Sequence, residues 1–159
     1  MFETQAPVQR AIVVHPIRSG ANQSHDPDLR LSEAAGLAIA LDLDVVEARH
    51  EPVRQVKPGA YFGDGKLEML KDLAQELECD VLILDDQMSP VQQRNMEKAL
   101  NVKVIDRTGL ILEIFARRAR TREGKLQVEL ARQTYERSRL VRTWTHLERQ
   151  RGGHRQNRR

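Results

Sequence analysis

Three groups of residues in this 159-residue chain have types and spacings suited to chemistry. Gly63-Asp64-Gly65-Lys66 sets glycines at a helix start with a lysine behind them, and helix N-termini hold anions through free amide N–H groups. No loop of the form G-x-x-x-x-G-K-S/T, the nucleoside-triphosphatase signature, occurs anywhere. The glycine stretch also follows a long loop rather than a strand, and Asp64 repels phosphate. A simple loop-to-helix turn is therefore the plainer account. Asp85 and Asp86 close an apolar run at the strand end where open α/β sheets hold ligands. Paired carboxylates there suit a metal or a ribose, though capping the next turn explains them with less. His15 ends a strand at the same edge, and a lone histidine is more often structural than catalytic. A nucleotide site built at the strand ends would use His15, Gly63, Gly65, Lys66 and Asp85.

The third group is cationic. Residues 1–106 hold 11 Lys and Arg against 18 Asp and Glu, a net −7, whereas residues 107–159 hold 15 against 5, a net +10. That asymmetry points the second part toward nucleic acid or an anionic membrane surface. Arg117, Arg118, Arg120, Arg122, Lys125, Arg132, Arg139, Arg142, Arg149 and Arg151 are the candidates for phosphate contact, because so few acids interleave with them. Trp144 and His146 lie among these arginines and suit stacking on unpaired RNA bases. Packing of Trp144 against a second helix is the competing account.

The elements that must position these groups follow from apolar spacing. Ala11–His15 predicts a strand buried on both faces and stopped by Pro16, with a loop over 17–28. Leu31–Leu41 predicts a helix, Val45–Ala48 a second strand, and 50–65 a Pro- and Gly-rich loop. Lys66–Leu77 predicts a helix capped by Asp64, and residues 80–86 (DVLILDD) the clearest strand. Ser89-Pro90 with Gln92 marks a capping box opening a helix to about Leu100. Val102–Ile105 predicts the fourth strand, after which Thr108 can cap one long helix. The fold class is α/β, a four-stranded parallel sheet flanked by helices, followed by a long projecting basic helix. The division falls at 106/107.

Cys79 is the only cysteine, which excludes an intramolecular disulfide and a Cys-based metal site. No run approaches 18 consecutive apolar residues, and residues 1–10 lack the marks of a signal peptide. A soluble, cytoplasmic protein is the expectation.

Three stretches carry a resemblance: DDQMSPVQQRNMEKAL, VKVIDRTGLILEIFARRARTREGKLQVELA and VRTWTHLERQRGG. They resemble the HflX family of translational GTPases, over about Ala11 to Gly153, most specifically over Asp85–Ala131. YFGDGKLEML matches more weakly. The resemblance implies an N-terminal α/β domain, a helical hairpin and then a Ras-like GTPase domain. It implies a factor that binds the large ribosomal subunit and its rRNA and separates ribosomal subunits, notably after heat stress. Carried onto this chain, Thr108–Trp144 would form the first hairpin arm. His146, Arg149, Arg151, Gly152 and Gly153 would form the tip that reaches toward the peptidyl-transferase centre.

Family members continue past the double glycine through a Thr-Arg-Gly-Pro-Gly-Glu run into a returning helix, whereas this chain reads HRQNRR there. A truncated relative is the expectation, with no cofactor of its own, since GTP and magnesium belong to the family's GTPase domain. GTP hydrolysis therefore carries over to no residue here. An apolar stripe of Leu126, Leu130, Leu140 and Trp144 without a return helix is expected to dimerise or to fray beyond Gly124. Two other functions compete: a nucleotide-binding α/β domain using the strand ends, and an interaction module for a separate GTPase domain.

Overall fold

A computed structural model describes residues 7–19, 26–137 and 139. Four strands, β1 (Arg10–Arg18), β2 (Asp44–Val53), β3 (Val81–Leu84) and β4 (Lys103–Asp106), form one parallel sheet in the order β2-β1-β3-β4. Alternate residues of each apolar run serve opposite faces, which is why the runs are continuous. Ile12, Val14, Leu82, Leu84 and Val104 pack under α2 (Asp64–Glu76) and α3 (Pro90–Leu100). Ala11, Val13, Val81 and Ile83 pack under α1 (Pro27–Ala40) and α4 (Arg107–Arg118). The expected α/β class with a four-stranded parallel sheet is what forms.

Two strands run further than their sequences predict. Pro16 does not stop β1, which continues to Arg18 in register with β2. Val14 O accepts from Asp85 N on the β3 side, so Pro16, two residues on, turns its missing N–H to that same side. There β3 has already ended at Leu84, and no ladder bond is lost. Pro52 is tolerated because β2 is an edge strand and Val53 O, not Pro52, faces β1 through Ser19 N.

Helix starts depend on which side chain reaches a free N–H. Asp26 caps α1 by accepting from Asp28 N at 3.0 Å, with Pro27 in the first turn, so the helix begins four residues before Leu31. Gly63, not Asp64, is the N-cap of α2, and no side chain caps it. Ser89 and Gln92 form the expected capping box on α3. The exposed edge of β4 is closed by α3: Gln93 Nε2 donates to Val104 O at 2.6 Å and Glu97 Oε2 accepts from Val104 N at 3.0 Å.

The single long helix expected after Asp106 is broken. α4 ends at Arg118, Ala119 is extended (φ −68°, ψ 130°), and α5 runs Arg122–Arg137. Thr121 Oγ1 accepts from Gly124 N at 2.9 Å and restarts the helix. Asp106, rather than Thr108, caps α4 through Gly109 N at 3.0 Å. α4 also does not project, because Leu110 and Ile114 are buried. α5 turns back along α4 instead of extending outward.

Within the described residues α5 is helical to Arg137. Its apolar side is nevertheless uncovered, with Leu126 64% and Leu130 63% exposed. Leu140 and Trp144, the rest of the expected stripe, lie outside the described residues. Concentration-dependent association in sedimentation velocity is the expected outcome, reduced by Leu126→Ser with Leu130→Ser. A wild-type chain that stays monomeric throughout the micromolar range sinks that expectation.

Candidate functional site

The strand order reverses between β1 and β3, since α1 returns the chain to β2 on one face while α2 crosses to β3 on the other. The carboxyl ends of β1 and β3 therefore flank the crevice where such sheets place ligands. His15 and Asp85 meet there, with His15 Nδ1 donating to Asp85 Oδ2 at 2.9 Å. Arg107, in the first turn of α4, donates from Nε to Asp85 Oδ1 at 3.0 Å and from Nη2 to the Asp85 carbonyl at 2.7 Å. Arg30 of α1 approaches Asp85 Oδ2 at 4.0 Å. The ring of His50, from β2, stands edge-on to His15 at 5.4 Å, and its Nε2 meets Asp28 Oδ1 at 2.8 Å.

Asp86 holds a second pair of donors, the Tyr61 hydroxyl and Arg18 Nη2, the latter at 2.7 Å. Burial works against the Asp86 charge, but hydrogen bonds from Tyr61, the Gln87 N–H and Arg18 outweigh it and hold the carboxyl below its usual range. Burial and the adjacent carboxylate push the Tyr61 phenol upward, so it stays protonated as a donor. Asp85 and Asp86 are thus both engaged by protein cations. Among the described residues no group of three or more His, Cys, Asp and Glu could hold a metal ion.

Gly63, Gly65 and Lys66 do not join this cluster: no hydrogen bond or ion pair links them to His15 or Asp85. Lys66 Nζ instead donates to Glu51 Oε1 at 2.6 Å, while Arg49 Nε lies 2.8 Å from Glu51 Oε2. Glu51 is buried, so its charge needs both cations. The lysine that sequence alone offers to a phosphate is already committed.

A further network, absent from the sequence reading, ties α5 to the domain through the almost fully buried Asp106. Its Oδ1 caps α4 and accepts from Tyr135 Oη at 2.6 Å, and its Oδ2 accepts from Met88 N at 3.2 Å. Arg139 places Nη2 3.7 Å from Asp106 Oδ2 and 2.6 Å from the Met88 carbonyl, Nε 2.5 Å from Gln93 Oε1, and its guanidinium 4.2 Å from the Tyr135 ring centroid. Burial and then the Asp106 carboxylate raise the Tyr135 pKa, keeping that hydroxyl a donor. Gly109 makes the approach possible, because a Cβ there would lie 2.7 Å from Tyr135 Oη.

The candidate RNA contacts divide accordingly. Arg139 is used by this network, and Arg132 is paired with Glu113 at 3.2 Å and Glu129 at 3.4 Å. Arg117 reaches Asp42 at 3.1 Å yet remains half exposed. Arg118, Arg120, Arg122 and Lys125 are exposed around the α4–α5 turn and make no ion pair among the described residues. Arg142, Trp144, His146, Arg149, Arg151, Gly152 and Gly153 lie outside the described residues. No described helix is long and apolar enough to cross a membrane.

Comparison with known proteins fits this architecture. The family described as GTP-binding GTPase N-terminal matches residues 28–116, and that described as GTP-binding GTPase Middle Region matches residues 118–159. GTPase HflX of Magnetococcus marinus is 48% identical over 153 residues, covering 96% of this chain and 35% of the relative. GTPase HflX of Escherichia coli K12 is 39% identical with the same two coverages. Among solved structures, a variant of SsGBP gives a TM-score of 0.64 at 25% identity, covering 86% of this chain and 41% of that one. A GTP-binding protein from Sulfolobus solfataricus in complex with GDP gives 0.57 at 25% identity, covering 91% and 42%. This chain spans about a third of the length of its curated relatives, and with both matched regions running in order along it, it belongs to the HflX family of GTPases.

Proposed function

We propose that this chain is an RNA-binding region of an HflX-type ribosome-splitting factor, docking on the large ribosomal subunit through rRNA phosphates. The observation that carries the reading is charge placement. Residues 1–106 carry a net −7, whereas the region after them is net positive and sets Arg118, Arg120, Arg122 and Lys125 exposed without ion pairs among the described residues. The stress-response role, cytoplasmic location and contacts at the hairpin tip belong to the same proposal. No residue here is assigned to GTP hydrolysis; guanine nucleotide and magnesium are proposed to bind a GTPase domain such as the longer relatives' names imply. Co-pelleting of the chain with large ribosomal subunits tests this. Binding should fall steeply with salt, the slope of log K on log salt growing by roughly 0.7–0.9 per phosphate contact. Salt-insensitive or absent binding defeats the reading.

A second reading has its own support. The His15–Asp85–Arg107 cluster sits where strand order reverses, the position at which α/β sheets take nucleotides. Equilibrium dialysis of the chain with ATP and with GTP separates the two, because phosphate-mediated docking on rRNA needs no nucleotide.

A further inference from the structure

We infer that Asp85 and Arg107 are positioning residues for α5, coupling the crevice between β1 and β3 to that helix through the first turn of α4. The coupling is a property of the free chain and holds whatever binds at either place. α5 contributes no residue to either apolar core. It is fastened by directional contacts instead: Tyr135 and Arg139 on Asp106, Arg139 on Met88 and Gln93, and Arg132 on Glu113. Apolar contact is non-directional and tolerates sliding, whereas a hydrogen bond weakens steeply as its angle closes. The orientation of α5 therefore follows the place where Asp106 and Met88 are held.

Both are held from the crevice side. Asp106 is the N-cap of α4 and Arg107 its first residue, yet the two side chains serve different networks. Asp106 carries Tyr135, Arg139 and the Met88 N–H. Arg107 donates from Nε to Asp85 Oδ1, from Nη2 to the Asp85 carbonyl, and from its backbone N to the Asp86 carbonyl at 3.1 Å. The start of α4 is thus fastened three times to the end of β3. Residues 85–88 close the circuit, because the buried Met88 gives its N–H to Asp106 and its carbonyl to Arg139. Little slack is left at the α5 end, where a Cβ on Gly109 would meet Tyr135 Oη at 2.7 Å and Ile105 Cγ2 at 3.1 Å. A contiguous chain of hydrogen bonds through one rigid helix start is the kind of path that carries coupling between sites.

The crevice end of this path is open to solvent, since Arg30 and Arg107 are both partly exposed beside the buried Asp85. A ligand that draws Arg107 away from Asp85 unfastens the start of α4 and, with it, the support of Asp106. Coupling is reciprocal, so a partner that holds α5 in one orientation changes affinity at the crevice by the same factor. Arg107 itself makes no hydrogen bond or ion pair with α5. Any effect of its removal on α5 must therefore travel through Asp106 and residues 85–88.

The test is amide hydrogen exchange on the full chain, following α5 in wild type, Arg107→Ala, Tyr135→Phe and the double variant. Arg107→Ala should speed α5 exchange about fivefold or more. In the Tyr135→Phe background the same change should speed it no more than about twofold, because the link it acts through is already cut. Arg107→Lys keeps a charge beside Asp85 and should fall between wild type and Arg107→Ala. Lys66→Ala breaks the Glu51 pair elsewhere in the domain and should leave α5 exchange within about twofold of wild type, since local opening is governed by local contacts. Should Arg107→Ala fail to fold, Asp85→Asn weakens the same tie at lower cost and must give the same pattern. The inference is overturned if the folded variant leaves α5 exchange within about twofold of wild type. Equal acceleration with and without Tyr135→Phe overturns it, as does equal acceleration by Lys66→Ala. So does an α5 without protection in the wild-type chain, because nothing then orients it.

Discussion

Replacing Asp106 with alanine is expected to lower the unfolding free energy by about 3–5 kcal/mol, the range for removing one partner of a buried ion pair. The carboxylate is almost fully buried and serves four groups: Gly109 N, Met88 N, Tyr135 Oη and Arg139. The lost N-cap alone costs about 1 kcal/mol, and a buried donor left without an acceptor costs about 1–3 kcal/mol. These costs share one site and do not add. Arg139, with its side chain 14% exposed, would keep its bonds to Met88 O and Gln93 but lose the Asp106 carboxylate. Asp106→Asn keeps a capping oxygen and an acceptor for Tyr135, so it should cost about 1–2 kcal/mol, the worth of the charge. Urea unfolding measures both. Hydrogen exchange should show α5 amides opening far more than those of β1 in Asp106→Ala. A loss below about 1 kcal/mol with unchanged α5 protection would mean that the helix is held by something else.

That network explains why the helical region was the part least legible in the sequence. The sheet could be read because Ala11–Val14 and Val81–Leu84 are continuous aliphatic runs, a pattern set by burial on both faces and visible locally. Ser89-Pro90 and Gln92 were legible for the same reason: a capping box lies within four residues. The Asp26-Pro27 cap was equally local and was a signal that could have extended α1. The break at Ala119 carries no proline or glycine. It depends on Tyr135 reaching back 29 residues to Asp106, and on Arg139 reaching 46 residues to Gln93. Apolar periodicity reports which side of a helix is buried, not whether the helix continues. Charge counting had the same blindness. It assigned Arg132 and Arg139 to phosphates, and the glycine motif offered Lys66 to one, although each faces a carboxylate brought near by the fold. It also missed Arg30 and Arg107, which converge on Asp85 from two different helices.

Asp85→Ala is the second substitution expected to be severe, at about 2–4 kcal/mol. The carboxylate is 6% exposed and accepts from His15 and Arg107, with Arg30 at 4.0 Å. Its removal leaves two arginines facing one another and strips the buried His15 ring of its partner. The cost stays below the upper limit for buried pairs because Arg30 and Arg107 are 25% and 30% exposed, so water takes up part of their charge. Coupling distinguishes this account from a general packing loss. In an Arg107→Ala background, Asp85→Ala should cost about 1–2 kcal/mol less than in the wild type. Arg107→Ala removes the bond to the Asp85 side chain and the one to its carbonyl, so the cycle reads the whole tie between β3 and α4. If the two losses add to within about 0.5 kcal/mol, Asp85 does not act through Arg107. The same variants inform the nucleotide reading, since a residue already saturated by protein donors should change stability far more than ATP retention in dialysis. An Asp85→Asn chain that keeps its thermal midpoint yet loses ATP retention would instead make the crevice between β1 and β3 a ligand site.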